Sequence, residues 1–139
     1  ELDLLDALSR GDRTPAELLT AELPRVFHSG WAVILDGSGQ PGPLASECVV
    51  AASEAAPAFV GLTLPWLPLP GPRLLPSDEA WLPERWQEMA IEMMAAPYGG
   101  DACAVVMGRS GGPAFRRSEL LRLVHLIGIA STVTHLPPA

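Results

Sequence analysis

The chain contains no lysine and no asparagine, and it has only two cysteines and one tyrosine. Without lysine, all nine basic side chains are arginines, set against 16 acidic ones, for a net charge of -7 and a pI near 4.8. Direct nucleic-acid binding needs a basic patch that neutralises phosphates. The densest group here, Arg109, Arg116, Arg117 and Arg122, is too scattered to form one. Two cysteines, Cys48 and Cys103, both inside apolar runs, supply neither a disulfide framework nor a zinc site, and they read as thiols of a cytoplasmic protein. No segment approaches the roughly 20 consecutive apolar residues of a helical membrane span. The acidic, amphipathic stretch from Glu1 to Ser9 lacks the pattern of a signal peptide, so a cytoplasmic location without membrane contact is expected.

What is present suffices for one domain. Across 139 residues, 48% are apolar and 18% charged, which excludes a disordered acidic tail. Leu2, Leu4, Leu5 and Leu8 mark a short amphipathic segment ended by Gly11. Thr14-Pro15-Ala16-Glu17 is a capping box with proline at the first helical position. Leu18, Leu19, Leu23, Val26 and Phe27 continue it at helical spacing. Pro24 is expected to weaken the last turn and Ser29-Gly30 to end it. The run Trp31 to Leu35, closed by Asp36-Gly37-Ser38-Gly39, reads as a central strand, and Glu47 to Ala52 as a weaker one.

From Ala55 to Pro83, seven prolines are expected to forbid regular ladders, while Phe59, Leu62, Leu64, Trp66, Leu67, Leu69, Leu74, Leu75 and Trp81 must pack against something. Glu84 to about Ile91 reads as a helix. Met93 to Tyr98 and Ala102 to Met107 form a hairpin about Gly99-Gly100-Asp101, followed by a loop from Gly108 to Gly112. Ser118 is expected to cap a long final helix that reaches about Thr134, before Pro137-Pro138.

This order of elements resembles a bacterial GAF domain. The likeness rests on Pro97 in the first strand of the hairpin and on Gly108, Arg109, Pro113 and Phe115 between its second strand and the final helix. It is good from Met93 to His135, moderate from Thr14 to Gly39 and poor from Pro41 to Pro83. A PAS domain is the nearest alternative. The resemblance implies an α/β fold of the α+β type, with a central antiparallel sheet of five to six strands and the N- and C-terminal helices packed on one face. The segment from Ala55 to Pro83 would roof a cavity on the other face. It further implies a sensory or regulatory module, excised from a longer bacterial protein, that binds a small effector and signals to a transcription regulator or sensor kinase. The alternative function is a dimerisation or interaction platform that binds nothing small.

The specialised chemistries of that family find no support. Cyclic-nucleotide binders use an Asn-Lys-Phe-Asp-Glu signature, impossible without asparagine and lysine. Neither cysteine has the histidine neighbour of a bilin site, and two cysteines fall short of the methionine-sulfoxide reductase set. His28, His125 and His135 are placed for the surface, not for haem. No nucleophile elbow, triad or phosphate loop is present, so neither an enzyme nor a bound cofactor or metal is expected. A largely apolar effector pocket would be walled by Phe59, Trp66, Trp81, Trp86, Met94 and Cys103, with Arg73 and Arg85 as anchors for an anion. In the final helix, Leu120, Leu123, Val124, Ile127 and Ala130 would face the sheet. Leu121, Leu126, Ile129 and Val133 would then form a homodimer interface, joined by Leu2 to Leu8.

Overall fold

The structure is a computed structural model that describes residues 14–38, 42–111 and 113–135, with side chains described as far as residue 131. The amphipathic segment at Leu2 to Leu8, the closing prolines and the Val133 side chain lie outside the described residues. Helix α1 spans Pro15–Phe27 and begins with the expected capping box. The Glu17 amide donates to Thr14 Oγ1 at 3.2 Å, and the Thr14 amide donates to Glu17 Oε1 at 3.2 Å. Pro24 is accommodated within the helix, and the stop comes at His28 instead of Ser29-Gly30. His28 adopts a left-handed conformation (φ 51°), and its amide and that of Ser29 both donate to the Pro24 carbonyl.

Five strands follow: β1 (Trp31–Asp36), β2 (Val49–Ala52, preceded by a 3-10 turn at Ser46–Cys48), β3 (Arg73–Leu75), β4 (Ile91–Pro97) and β5 (Cys103–Ser110). They form one antiparallel sheet in the order β2-β1-β5-β4-β3. The apolar runs Trp31 to Leu35 and Ala102 to Met107 thus occupy interior positions. Trp31 to Leu35 are buried without alternation because both faces of the sheet are covered.

Several boundaries differ from the sequence reading. Strand β5 continues through Arg109 to Ser110, since its pairing with Ile91 and Glu92 extends the ladder past the expected loop. Strand β4 begins at Ile91 because the short helix α2 (Glu84–Glu88) is capped at Met89 and the chain then turns at Ala90, whose φ is 51°. Within the proline-rich stretch, β3 fits between Pro72 and Pro76, three residues that all retain their amides, and it pairs with β4. The last helix, α3 (Arg117–His135), contains Ser118 within its first turn. Its start is held by Glu119, whose Oε1 accepts from the Arg116 amide at 2.8 Å.

The sheet separates two cores. Helices α1 and α3 pack Leu19, Leu23, Phe27, Leu120, Leu123, Leu126, Ile127 and Ala130 against Ala32, Ile34, Met94, Ala96, Val105 and Met107. On the other face, the chain from Leu44 to Trp86 packs against Trp31, Val33, Leu35, Ile91, Met93, Ala95, Ala104 and Val106. A bulge on β2 breaks the two-residue period, as Ile34 pairs with Ala51 but Leu35 with Val49. Consequently Val49 packs against the aromatic core and Ala51 against the helical core, although they are two residues apart.

Candidate functional site

The middle segment closes over the sheet through its large aromatic side chains. Phe59 meets Trp31 and Trp86 edge-on, with centroids 5.8 and 5.1 Å away, and Trp66 meets Trp81 in the same way at 5.7 Å. Phe59, Trp66 and Trp86 are buried and Trp81 half-buried, so four of the expected pocket residues do gather on this face. They fill it as core. The Trp66 indole N–H is buried there without an acceptor among the described residues, an arrangement that costs about 1–3 kcal/mol.

The other four expected pocket residues lie elsewhere. Met94 points to the helical core and pairs with Met107, while its neighbour Met93 joins the aromatic side. Ile91, Met93 and Ala95 share the aromatic face of the strand, and Met94 and Ala96 the helical face. Cys103 stands at the end of β5 opposite Asp36. Arg73 is paired with Glu79 at 3.5 Å, and Arg85 is exposed on α2.

The clearest apolar cleft lies beside the aromatic layer. It has a volume of about 470 Å³ and is lined by Leu44, Leu64, Pro65, Leu67 and Pro68 together with Ser38, Thr63 and Ala102. None of the eight expected pocket residues lines it. Its construction depends on two long-range approaches. The turn after β1 donates from the Gly37 amide to the Ala102 carbonyl at 2.7 Å, and the strap from Thr63 to Pro68 is tied down where the Leu69 amide donates to the Asp101 carbonyl at 2.6 Å. The approach at Gly37 is close, since a Cβ at that position would lie 3.1 Å from Leu67 Cδ1 and 3.2 Å from the Ala102 carbonyl. No local sequence pattern reveals this contact, which joins the Asp-Gly-Ser turn to a leucine-proline strap about thirty residues later.

Electrostatics near the cleft centre on Asp36. Its carboxyl is held below the ordinary value by hydrogen bonds from Ser38, whose amide donates to Oδ1 at 2.8 Å, and by the Cys103 thiol. Burial first, and then the Asp36 charge, raise the Cys103 thiol above its usual value. Burial likewise raises Tyr98. A protonated thiol beside a carboxylate is a poor nucleophile. Among the described residues, no three His, Cys, Asp or Glu side chains come together in a way that could hold a metal ion, and no helix is long and apolar enough to cross a membrane.

Of the residues that carry the GAF resemblance, Arg109 touches Pro113 and Phe115. The Arg109 guanidinium lies over the Phe115 ring at 4.0 Å, donates from Nε to the Pro113 carbonyl at 3.0 Å and bridges to Glu119 at 3.0 Å. The segment thereby clamps the end of β5 to the start of α3. The expected dimer face is altered. Leu126 is fully buried in the chain's own core and Ile129 packs against that core, whereas Val124, expected to face the sheet, is exposed together with Leu121. Compared with protein-family models and with curated proteins, the sequence finds no match.

Proposed function

We propose that the chain is a GAF-like regulatory domain that holds a small, largely apolar effector in the cleft between the β1 turn and the Thr63 to Pro68 strap, and relays its occupancy to an attached output domain. The observation that carries this reading is the cleft itself. Its walls are largely leucine and proline, its polar side chains are few, and its volume falls within the range of about 300–1,000 Å³ usual for small-molecule sites. The strand order and the placement of α1 and α3 on one face are compatible with a GAF-like or a PAS-like domain, which is an argument by analogy of fold. The test is a calorimetric and thermal-shift screen with medium-chain ketones, esters and terpenoids, on the wild type and on Thr63→Trp. That substitution places a bulky ring at the cleft from an exposed position. Ligands that raise the melting temperature of the wild type and not of the variant support the reading. A screen in which nothing binds the wild type removes it.

A second reading, the dimerisation platform, is favoured by the outer face of α3. Leu121 is 53% exposed and Val124 39%, one turn apart on a helix whose opposite side is fully packed. We propose a two-fold contact centred on these two residues. Sedimentation at tens of micromolar should give a dimer for the wild type and a monomer for Leu121→Glu. A monomeric wild type would exclude this contact.

A further inference from the structure

A second concavity, of about 700 Å³, runs between α1 and the edge strand β2, on the side of the sheet remote from the cleft strap. Small residues form much of its lining: Ala21 and Pro24 from α1, Gly30 from the turn, and Ala51, Ala52 and Ala55 from β2 and beyond. The strand alongside it, Val49–Ala52, is uncharged and contains no proline, so it lacks two of the usual defences of a sheet edge. Past the bulge, from Ala51 onward, its ladder to β1 uses alternate residues. The Ser53 amide donates to the Ala32 carbonyl at 2.8 Å, and Ala51 stands opposite Ile34. By the alternation of an antiparallel ladder, the amide and carbonyl of Ala52 therefore point away from the sheet. Val50 is 49% exposed beside them.

The charges at the two ends of the strand decide what fits this edge. Glu47 precedes it and Glu54 follows it, and both are exposed. If two copies of the chain paired antiparallel about the middle of β2, Glu47 of one would approach Glu54 of the other. Like charges set opposite one another destabilise a strand pair, so the edge is badly suited to its own copy. A strand with a small apolar centre and a basic residue at each end would meet both glutamates with opposite charge.

We propose that the β2 edge and its groove form a docking site for an extended segment of a partner protein, apolar in its centre and flanked by arginine or lysine, which adds to the sheet as a sixth strand. Main-chain hydrogen bonds to Ala52 supply the pairing, and the alanine-lined groove receives alternate side chains. Glu47 and Glu54 set the register and the direction of approach. This site is independent of the effector cleft, which lies across the molecule and shares no lining residue with it.

The test uses two labelled synthetic peptides, Arg-Ala-Val-Ala-Val-Ala-Val-Arg and the same sequence with glutamate at both ends, followed by fluorescence anisotropy. The wild-type domain should bind the arginine-flanked peptide and not the glutamate-flanked one, more weakly as salt is raised. The double substitution Glu47→Arg and Glu54→Arg should reverse that preference by roughly tenfold, the scale of two cross-strand charge pairs turned from attractive to repulsive. Ala52→Pro, which removes the outward amide, should lose the peptide while circular dichroism stays unchanged. Should Ala52→Pro fail to fold, the charge reversal on two exposed side chains decides the question alone. Binding of neither peptide, equal binding of both, or self-association of the wild type that Ala52→Pro abolishes would overturn the proposal.

Discussion

Trp31 packs across Gly108, its partner in the neighbouring strand, so closely that a Cβ on Gly108 would overlap the indole at Cζ2 and Cε2. The glycine is therefore part of the tryptophan's site. Its missing side chain lets the ring lie against the sheet and meet Phe59, which in turn meets Trp86. Gly108→Ala should destabilise the domain by about 2–3 kcal/mol through overpacking. In a Trp31→Ala background the same change should cost little, and a double-mutant cycle by urea unfolding measures that coupling.

Thr14 carries the start of α1. Thr14→Ala removes the hydroxyl that accepts from the Glu17 amide and leaves only one half of the capping box. A loss of about 1 kcal/mol is expected, while Thr14→Ser should be close to neutral. Thermal unfolding followed by circular dichroism distinguishes the two.

Arg109 joins three groups at once: the Phe115 ring, the Pro113 carbonyl and the Glu119 carboxylate, which also holds the Arg116 amide. Arg109→Ala should cost about 1–2 kcal/mol. Arg109→Lys should recover little of it, because an ammonium cannot stack on the ring and fork to two acceptors together. Amide exchange in the first turn of α3 should rise in both variants.

Asp36 and Cys103 respond to pH in opposite directions. The lowered carboxyl of Asp36 contributes stability that is fully present above its unfolded value of 3.8 and is lost as pH falls through the lower folded value. The raised thiol of Cys103 makes the folded state less stable as pH climbs past the unfolded value of 9.0, because the unfolded chain loses that proton first. Asp36→Asn should flatten the acid limb of the stability profile. It should also speed iodoacetamide alkylation of Cys103 at mildly alkaline pH by a few-fold, since the carboxylate no longer opposes the thiolate. An unchanged alkylation rate would show that burial alone holds the thiol.

Legibility followed the range of the interactions. The capping box was readable because its partners are three residues apart and both hydrogen bonds depend on side-chain chemistry alone. Strands β1, β4 and β5 were readable from their apolar runs and the glycine turn between the last two. Phase was harder to read than period. An almost wholly apolar strand gave no sign that Met93 and not Met94 faces the aromatics. A final helix with apolar residues around much of its circumference did not reveal that Leu126 turns inward while Val124 turns out. In both cases the packing partners, not the element, choose the face. The cleft was hidden for a different reason, since it exists only where Gly37, Ala102 and the leucine-proline strap converge from three distant stretches of chain.

The sheet between the two cores has a mechanical consequence. Trp31, Val33 and Leu35 belong wholly to one side and Ala32 and Ile34 wholly to the other, so the sheet behaves as a diaphragm. A body lodged on the aromatic side can push on α1 and α3 only by displacing the strands themselves. The Arg109 clamp fastens the end of β5 to the first turn of α3, so a displacement of that strand would be felt first at the start of the helix that bears Leu121 and Val124.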